Sequence, residues 1–269
     1  MIKLNTIYNM DCVQGMKDLI PDNSIDLALF SPPYDGIRDY KKGEWILDLP
    51  SVGKEISRIL KNGGMCVMVI QDQTKDGRKS GTSFRTISNW LDNTELGLWE
   101  CCIYNRRAAP GAWWKKRFSV DHEYISIFIK GKRPQYFNKE HMMIDNPSFG
   151  ITKKSTYRKT DGTTENFIHT ENPKMCPGTV LKYKNSSRET PKAGQIGSFK
   201  LQHPATFPDK LASDFIQAFT TENMIVLDPF MGSGTTARMA KLLNRNYIGF
   251  ENIKEYIEIS NQLLTNHWQ

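Results

Sequence analysis

The chain has 269 residues, 39% of them hydrophobic, and a formal charge of +7. That length fits one large domain, or one domain with a sizeable insertion, and no apolar run reaches the ~18 residues of a membrane-spanning helix. Five cysteines (Cys12, Cys66, Cys101, Cys102 and Cys176) without a Cys-x-x-Cys pair argue against both a disulfide framework and a zinc site, so no metal is expected.

In chain order the pattern is strand and amphipathic helix in alternation. A short strand is predicted over 4–9 and a helix over 13–19, ended by Pro21. The apolar run Ile25-Asp26-Leu27-Ala28-Leu29-Phe30 reads as a buried strand. A helix over 44–60 follows, with Ile46, Leu49, Val52, Ile56, Ile59 and Leu60 near one face and Asn62-Gly63-Gly64 as its stop. Residues 65–70 form an uninterrupted strand, 84–96 a helix, and 100–104 and 124–129 two further strands. Cys66 and Cys101 lie in these runs, where core packing is expected.

From 131 to about 200 the periodicity disappears, as in a functional or disordered insertion. Residues 150–200 carry Lys153, Lys154, Arg158, Lys159, Lys174, Lys182, Lys184, Arg188, Lys192 and Lys200 against Asp161, Glu165, Glu171 and Glu189. With a pI of about 9.0, this cluster favours a polyanionic partner bound through phosphate contacts. Beyond it come a helix over 210–219, a strand over 224–227, a helix over 235–243, a strand over 247–250 and a closing helix over 254–264. Seven strands with helices between most of them make a doubly wound α/β sheet.

Two segments follow predicted strands, and in such a sheet ligands bind beyond the carboxyl ends of strands. The later one, Asp228-Pro229-Phe230-Met231-Gly232-Ser233-Gly234-Thr235-Thr236, is a glycine turn leading into a helix. Glycines permit positive φ and a close approach of backbone to ligand. Glu251 ends the next strand about twenty residues on, where an acidic side chain can bond both hydroxyls of a ribose. No Gly-Lys-Ser or Gly-Lys-Thr is present, which excludes the usual phosphate loop. The layout serves an adenosine-containing cofactor.

The earlier segment is Ser31-Pro32-Pro33-Tyr34. Two prolines fix φ and remove two N–H donors, leaving nearby carbonyls free to accept. The Ser31 hydroxyl donates or accepts, and Tyr34 offers a flat face. Such a group suits an exocyclic amine on a flipped base, although a strand-ending turn with Tyr34 in the core has the same sequence. Trp113-Trp114-Lys115-Lys116-Arg117 mixes stacking groups with charge and fits either DNA contact or apolar anchoring.

At this point the chain resembles the beta group of amino-methylating DNA methyltransferases, which use S-adenosylmethionine. The order agrees: Ser31–Tyr34 first, a basic segment in the middle, Phe230–Gly234 late, which is circularly permuted relative to the cofactor-first arrangement. Asn9-Met10-Asp11-Cys12, Arg58-Ile59-Leu60-Lys61-Asn62-Gly63-Gly64, Arg117-Phe118 with His122-Glu123-Tyr124-Ile125, and His203-Pro204-Ala205-Thr206-Phe207-Pro208 resemble further family motifs.

The resemblance implies a Rossmann-like methyltransferase fold with a seven-stranded, mostly parallel sheet, helices on both faces and an irregular target-recognition insertion. The expected division is a catalytic part over 1–130, target recognition over 131–200 and a cofactor part over 201–269. Ser31, Pro32, Pro33 and Tyr34 would be catalytic. Asp11, Cys12, His203, Pro204, Phe207, Asp228, Pro229, Phe230, Gly232, Gly234, Thr235 and Glu251 would bind cofactor. Lys153, Lys154, Arg158, Lys159, Lys182, Lys184 and Arg188 would bind DNA.

Ser at the first motif position, with the His-Pro-Ala-x-Phe-Pro form, is typical of members that methylate cytosine N4; adenine N6 methylation on the same scaffold is the alternative. A non-catalytic DNA-binding relative and a small-molecule methyltransferase are more distant ones. C5 methylation is excluded, because no Pro-Cys pair supplies the nucleophile. The implied partner is double-stranded DNA, and the resemblance leaves room for a cognate restriction endonuclease and a homodimer. Met1-Ile2-Lys3-Leu4-Asn5 lacks the charged-then-apolar signal pattern, so the expected setting is the cytoplasm of a bacterial or phage-infected cell, away from membrane.

Overall fold

The computed structural model describes residues 2–33, 47–106, 117–183 and 207–265. They fall into two compact units, one comprising Met1–Asn138 with Thr179–Gln269 and the other Lys139–Gly178.

The first unit begins with β1 (Thr6–Tyr8), α1 (Cys12–Leu19), β2 (Ile25–Phe30), α2 (Leu49–Ile59) and β3 (Leu60–Ile70). It continues through a small hairpin, β4 (Thr74–Lys75) and β5 (Arg78–Lys79), to α3 (Thr82–Asn93), β6 (Leu96–Asn105) and β7 (His122–Lys130). The second unit contains β8 (Ile144–Asp145), β9 (Thr152–Arg158), β10 (Thr164–Thr170) and β11 (Lys174–Met175). The chain then returns to the first unit as β12 (Val180–Lys182), α4 (Asp209–Phe219), β13 (Ile225–Asp228), α5 (Thr235–Leu242), β14 (Asn246–Phe250) and α6 (Lys254–Thr265).

Eight strands of the first unit form one sheet in the order β1-β14-β13-β2-β3-β7-β6-β12. All pairings are parallel except those of β7 with β3 and with β6. The seven expected strands are all present. The eighth, β12, has three residues of which only Leu181 is buried, too short a run to show in the sequence pattern.

Strand alternation sorts the core into two layers. Ala28 and Phe30 of β2 join Met16, Ile56, Ile59 and Trp90 in one apolar cluster, which places α1, α2 and α3 on that face. Leu27 and Leu29 point the other way, to the side where α4 and α5 pack against β2, β3, β13 and β14. Asp11 and Asp48 cap α1 and α2, their carboxylates accepting from Gln14 N and Ser51 N at 3.0 Å each. Gly15 sits where α1 crosses β14, and a Cβ there would lie 2.3 Å from the Phe250 ring.

Three expectations change. Helix α2 already ends at Ile59, and Leu60 is extended. The register passes from Ile25 beside Leu60 to Leu27 beside Met65, so Asn62-Gly63-Gly64 forms a bulge within β3 rather than a helix stop. Cys66 is core, but Cys101 faces outward on β6 while its neighbour Cys102 faces inward. Nor is the middle segment irregular throughout. In the second unit β9 and β10 make a seven-pair antiparallel hairpin turning through Asp161-Gly162, and β8 pairs with β11.

Candidate active site

Strand β2 continues to β3 on one side of it, while β13, its neighbour on the other side, continues to β14. Chain leaving two adjacent strands in opposite directions opens a crevice at their carboxyl ends. The register sets Leu227 beside Ala28, so Asp228 and Ser31, near the ends of sequence, emerge into the same crevice. Thr236 near the start of α5 ties the two halves, its hydroxyl donating to the Leu29 carbonyl of β2 at 3.2 Å. Phe230 does the same with apolar surface, its ring centroid 5.6 Å from that of Phe30.

The glycine turn is held by its own acid. Gly232 N–H donates to Glu251 Oε2 at 2.8 Å, and Ile253 N–H donates to Oε1 at 2.9 Å. Each oxygen keeps acceptor capacity for a ligand hydroxyl. Burial pushes the Glu251 carboxyl above its usual range, and the backbone N–H bonds pull it back part of the way. Ser260 Oγ donates to the Gly232 carbonyl at 2.7 Å. Gly234, at φ +84°, starts α5, and a Cβ there would meet the Ser260 side chain at 2.9 Å. Only glycine suits both the backbone angle and the space.

Asp228 ends β13 fully covered, and burial raises its carboxyl to about 7; the nearby Glu251 adds to this, while Thr236 and the Phe230 N–H oppose it. Pro229 leads from it to Phe230, whose N–H donates to Asp228 Oδ1 at 2.9 Å. Thr235 is buried in the first turn of α5, where the helix terminus favours an anion. At the far side of the crevice, Glu251 N–H donates to the Tyr8 carbonyl and Asn9 Nδ2 to the Glu251 carbonyl. This pairing brings Asp11 and Glu251 to the same edge. Cys12 beside Asp11 is buried, its thiol pushed up to about 12 by burial and by Asp11, so it packs rather than reacts.

Ser31, Pro32 and Pro33 follow β2 directly, with Pro32 buried. Phe207 precedes Pro208, the N-cap of α4. Tyr34, His203, Pro204, Trp113, Trp114, Lys184 and Arg188 lie outside the described residues. Of the remaining basic candidates, Lys182 is exposed on β12. Lys153, Lys154, Arg158 and Lys159 are all on or beside β9 in the second unit.

Sequence reasoning missed two parts of this edge. Thr236 and Ser260 brace the turn, yet a threonine in a helix start and a serine in a closing helix carry no distinctive pattern. Lys79, Arg106 and Arg117 collect beyond β3 and β6: Lys79 Nζ donates to the Asp72 carbonyl at 3.0 Å and Arg117 Nη1 to the Gly77 carbonyl at 2.6 Å. Burial first, and then the two arginines, lower the Lys79 pKa against the pull of Asp72. Arg117 belongs to the Trp113–Arg117 run that the sequence already offers for DNA contact, but its grouping with Lys79 and Arg106, from separate segments, needs the topology.

Comparison with known proteins gives this geometry its context. A family model described as DNA methylase, for N6 and N4 amino methylation, matches residues 25–262. The chain belongs to the N6/N4 DNA methylase family. The methylase is 38% identical over 263 residues to the orphan methyltransferase M.BamHII of Bacillus amyloliquefaciens, covering 94% of this chain and 93% of that one. Its fold matches the cytosine-N4-specific PvuII DNA methyltransferase with a TM-score of 0.74, 22% identity, and coverage of 99% of this chain and 88% of that one. The M1.HpyAVI–SAM complex matches with a TM-score of 0.60 at 22% identity, covering 97% and 99% of the two chains. Among the described residues of the methylase, no helix is long and apolar enough to cross a membrane.

Proposed function

We propose that this DNA methyltransferase acts at specific sites in double-stranded DNA and transfers a methyl group from S-adenosylmethionine to the N4 amino group of a flipped cytosine. The observation carrying the reading is the crevice itself. Ser31-Pro32-Pro33 and the Asp228–Gly234 turn leave neighbouring parallel strands, joined by Thr236 and by Phe30 against Phe230.

S-adenosylmethionine, when bound, supplies an activated methyl on a positively charged sulfur. The donor set fits it. Glu251 has acceptor capacity left for ribose hydroxyls, and Asp11, with one oxygen on Gln14 N, has the other for an adenine amine. Phe230, Gly232 and Gly234 would pack along the adenosine, with Cys12 and Phe207 behind it. Thr235 would bond the methionine carboxylate at the α5 N-terminus. Asp228 would face the methionine end, with Pro229 setting the direction of the turn; His203 and Pro204 are assigned there by the motif alone.

On the substrate side, the Ser31 hydroxyl and the Pro32 carbonyl would accept hydrogen bonds from the base amine. Those bonds draw the nitrogen lone pair out of conjugation with the ring. Pro33 holds the loop rigid and Tyr34 would stack on the base. No covalent link to the enzyme is required; orientation is the main contribution, worth up to ~7–11 kcal/mol for aligned reactants.

Cytosine is favoured by Ser31 at the first motif position and by the His203–Phe207 segment, and adenine N6 is the second reading, which the family model spans. Partners follow from the reading: duplex DNA first, with a cognate endonuclease and a second copy of the chain as further candidates, in a bacterial cytoplasm. DNA from a methylation-deficient host expressing the protein should gain N4-methylcytosine. A gain of N6-methyladenine instead would transfer the reading to the other base.

A further inference from the structure

The β9–β10 hairpin divides its cations between two faces. Residues directly opposite share a face, and neighbours along a strand alternate. One face carries Lys153, Ser155 and Tyr157 across from His169, Phe167 and Glu165. Its positive charges are neutralised: Lys153 pairs with Glu171 at 2.9 Å, and Lys159, just past the strand, with Glu165 at 2.8 Å. Phe167 and His169 pack ring to ring at 5.3 Å on the same side.

The other face carries Thr152, Lys154, Thr156 and Arg158 across from Thr170, Ile168, Asn166 and Thr164. It has no acidic residue. Lys154 and Arg158 are exposed, and among the described residues neither has an ion-pair partner. Between them, in the middle of the face, Thr156 Oγ1 donates to Asn166 Oδ1 at 2.8 Å. That bond fixes the carboxamide with its two N–H donors and one oxygen lone pair unspent.

We propose that this second face is the DNA-reading surface, with Lys154 and Arg158 anchoring phosphates and Asn166, oriented by Thr156, contacting a base edge. The proposal rests on the DNA-methylating function above and narrows the basic segment to one face. A two-stranded ribbon fits the major groove, which is ~12 Å wide. Residues four apart on a strand are about 14 Å apart, so the two cations can meet phosphates on either side of the groove. The Thr156–Asn166 pair then faces the bases between them. Lys153 and Lys159 serve the hairpin instead, being committed to Glu171 and Glu165.

The test uses the full chain and a fluorescein-labelled DNA duplex of mixed sequence, with affinity followed against salt. Each phosphate contact contributes about 0.9 to the log–log slope. Lys154→Ala with Arg158→Ala should make the slope shallower by about 1.8, whereas Lys153→Ala with Lys159→Ala should leave it as in wild type. Asn166→Ala should broaden the set of plasmid sequences methylated, mapped base by base, at one position of the site. Unchanged S-adenosylmethionine affinity and an unchanged circular dichroism spectrum in all three variants show that the cofactor-binding unit and the hairpin unit are both intact. A wild-type protein that methylates DNA while the two double variants behave alike, or in reverse, overturns this surface and leaves the function standing. A wild-type protein that neither binds the duplex nor methylates it overturns both.

Discussion

Gly232 N–H donates to Glu251 Oε2 over 2.8 Å, so the acid expected to hold a ribose also holds the loop beneath it. The second oxygen is committed in the same manner to Ile253 N–H. A carboxylate already fixed by two backbone donors meets a ligand with no rotamer left to freeze, which lowers the cost of binding.

Replacing Glu251 should therefore affect cofactor binding and the loop together. Glu251→Ala removes two charge-assisted bonds worth roughly 1.5–3 kcal/mol each. Titration calorimetry should show S-adenosylmethionine affinity down by ~100-fold, with a lowered melting temperature. Glu251→Gln should lose less of both, because its remaining oxygen still accepts. An affinity unchanged in Glu251→Ala would remove Glu251 from the cofactor site.

Asp228 should write a pH dependence into the stability of the cofactor-free protein. Its carboxyl binds protons more readily folded than unfolded, at about 7 against a usual 3.8. Its contribution is therefore complete below about 3.8 and is lost as pH rises through about 7. Melting temperatures across that window should fall more steeply for wild type than for Asp228→Asn. Parallel curves would contradict a buried, reluctantly charged Asp228.

Ser31→Ala separates the two sides of the crevice. Turnover should fall by roughly 100-fold, the scale of a lost polar catalytic contact, while S-adenosylmethionine affinity stays close to wild type. Rapid-quench kinetics with calorimetry on the same preparation gives both numbers. Equal losses would place Ser31 on the cofactor side.

Gly15→Ala tests how α1 is seated. The added methyl would lie 2.3 Å from the Phe250 ring, and relieving it should cost ~1–3 kcal/mol. Urea denaturation should show a lower midpoint with an unchanged slope. A neutral substitution would mean that α1 can slide on β14 freely.

The sheet was readable because its central strands are buried on both sides: Leu27–Phe30 of β2, Met65–Ile70 of β3 and Ile225–Leu227 of β13 are apolar runs bounded by turn residues. The two loops that matter were readable for the same reason, each directly following such a run. What escaped was structure that buries little. In β9 and β10 nearly every side chain is exposed, so no alternation marks them. Their threonines and the Asp161-Gly162 turn were the available signals, since Asp-Gly is a strong hairpin marker. The Asn62-Gly63-Gly64 bulge escaped because glycine after a helix resembles a stop. Bonds such as Ser260 to Gly232 join positions 28 residues apart and follow from topology alone.

The most direct measurement is mass spectrometry of nucleosides from DNA incubated with the purified protein and methyl-labelled S-adenosylmethionine. The account predicts label in N4-methylcytosine, appearing roughly 100-fold more slowly with Ser31→Ala. Label in N6-methyladenine, or none on any DNA, would contradict it.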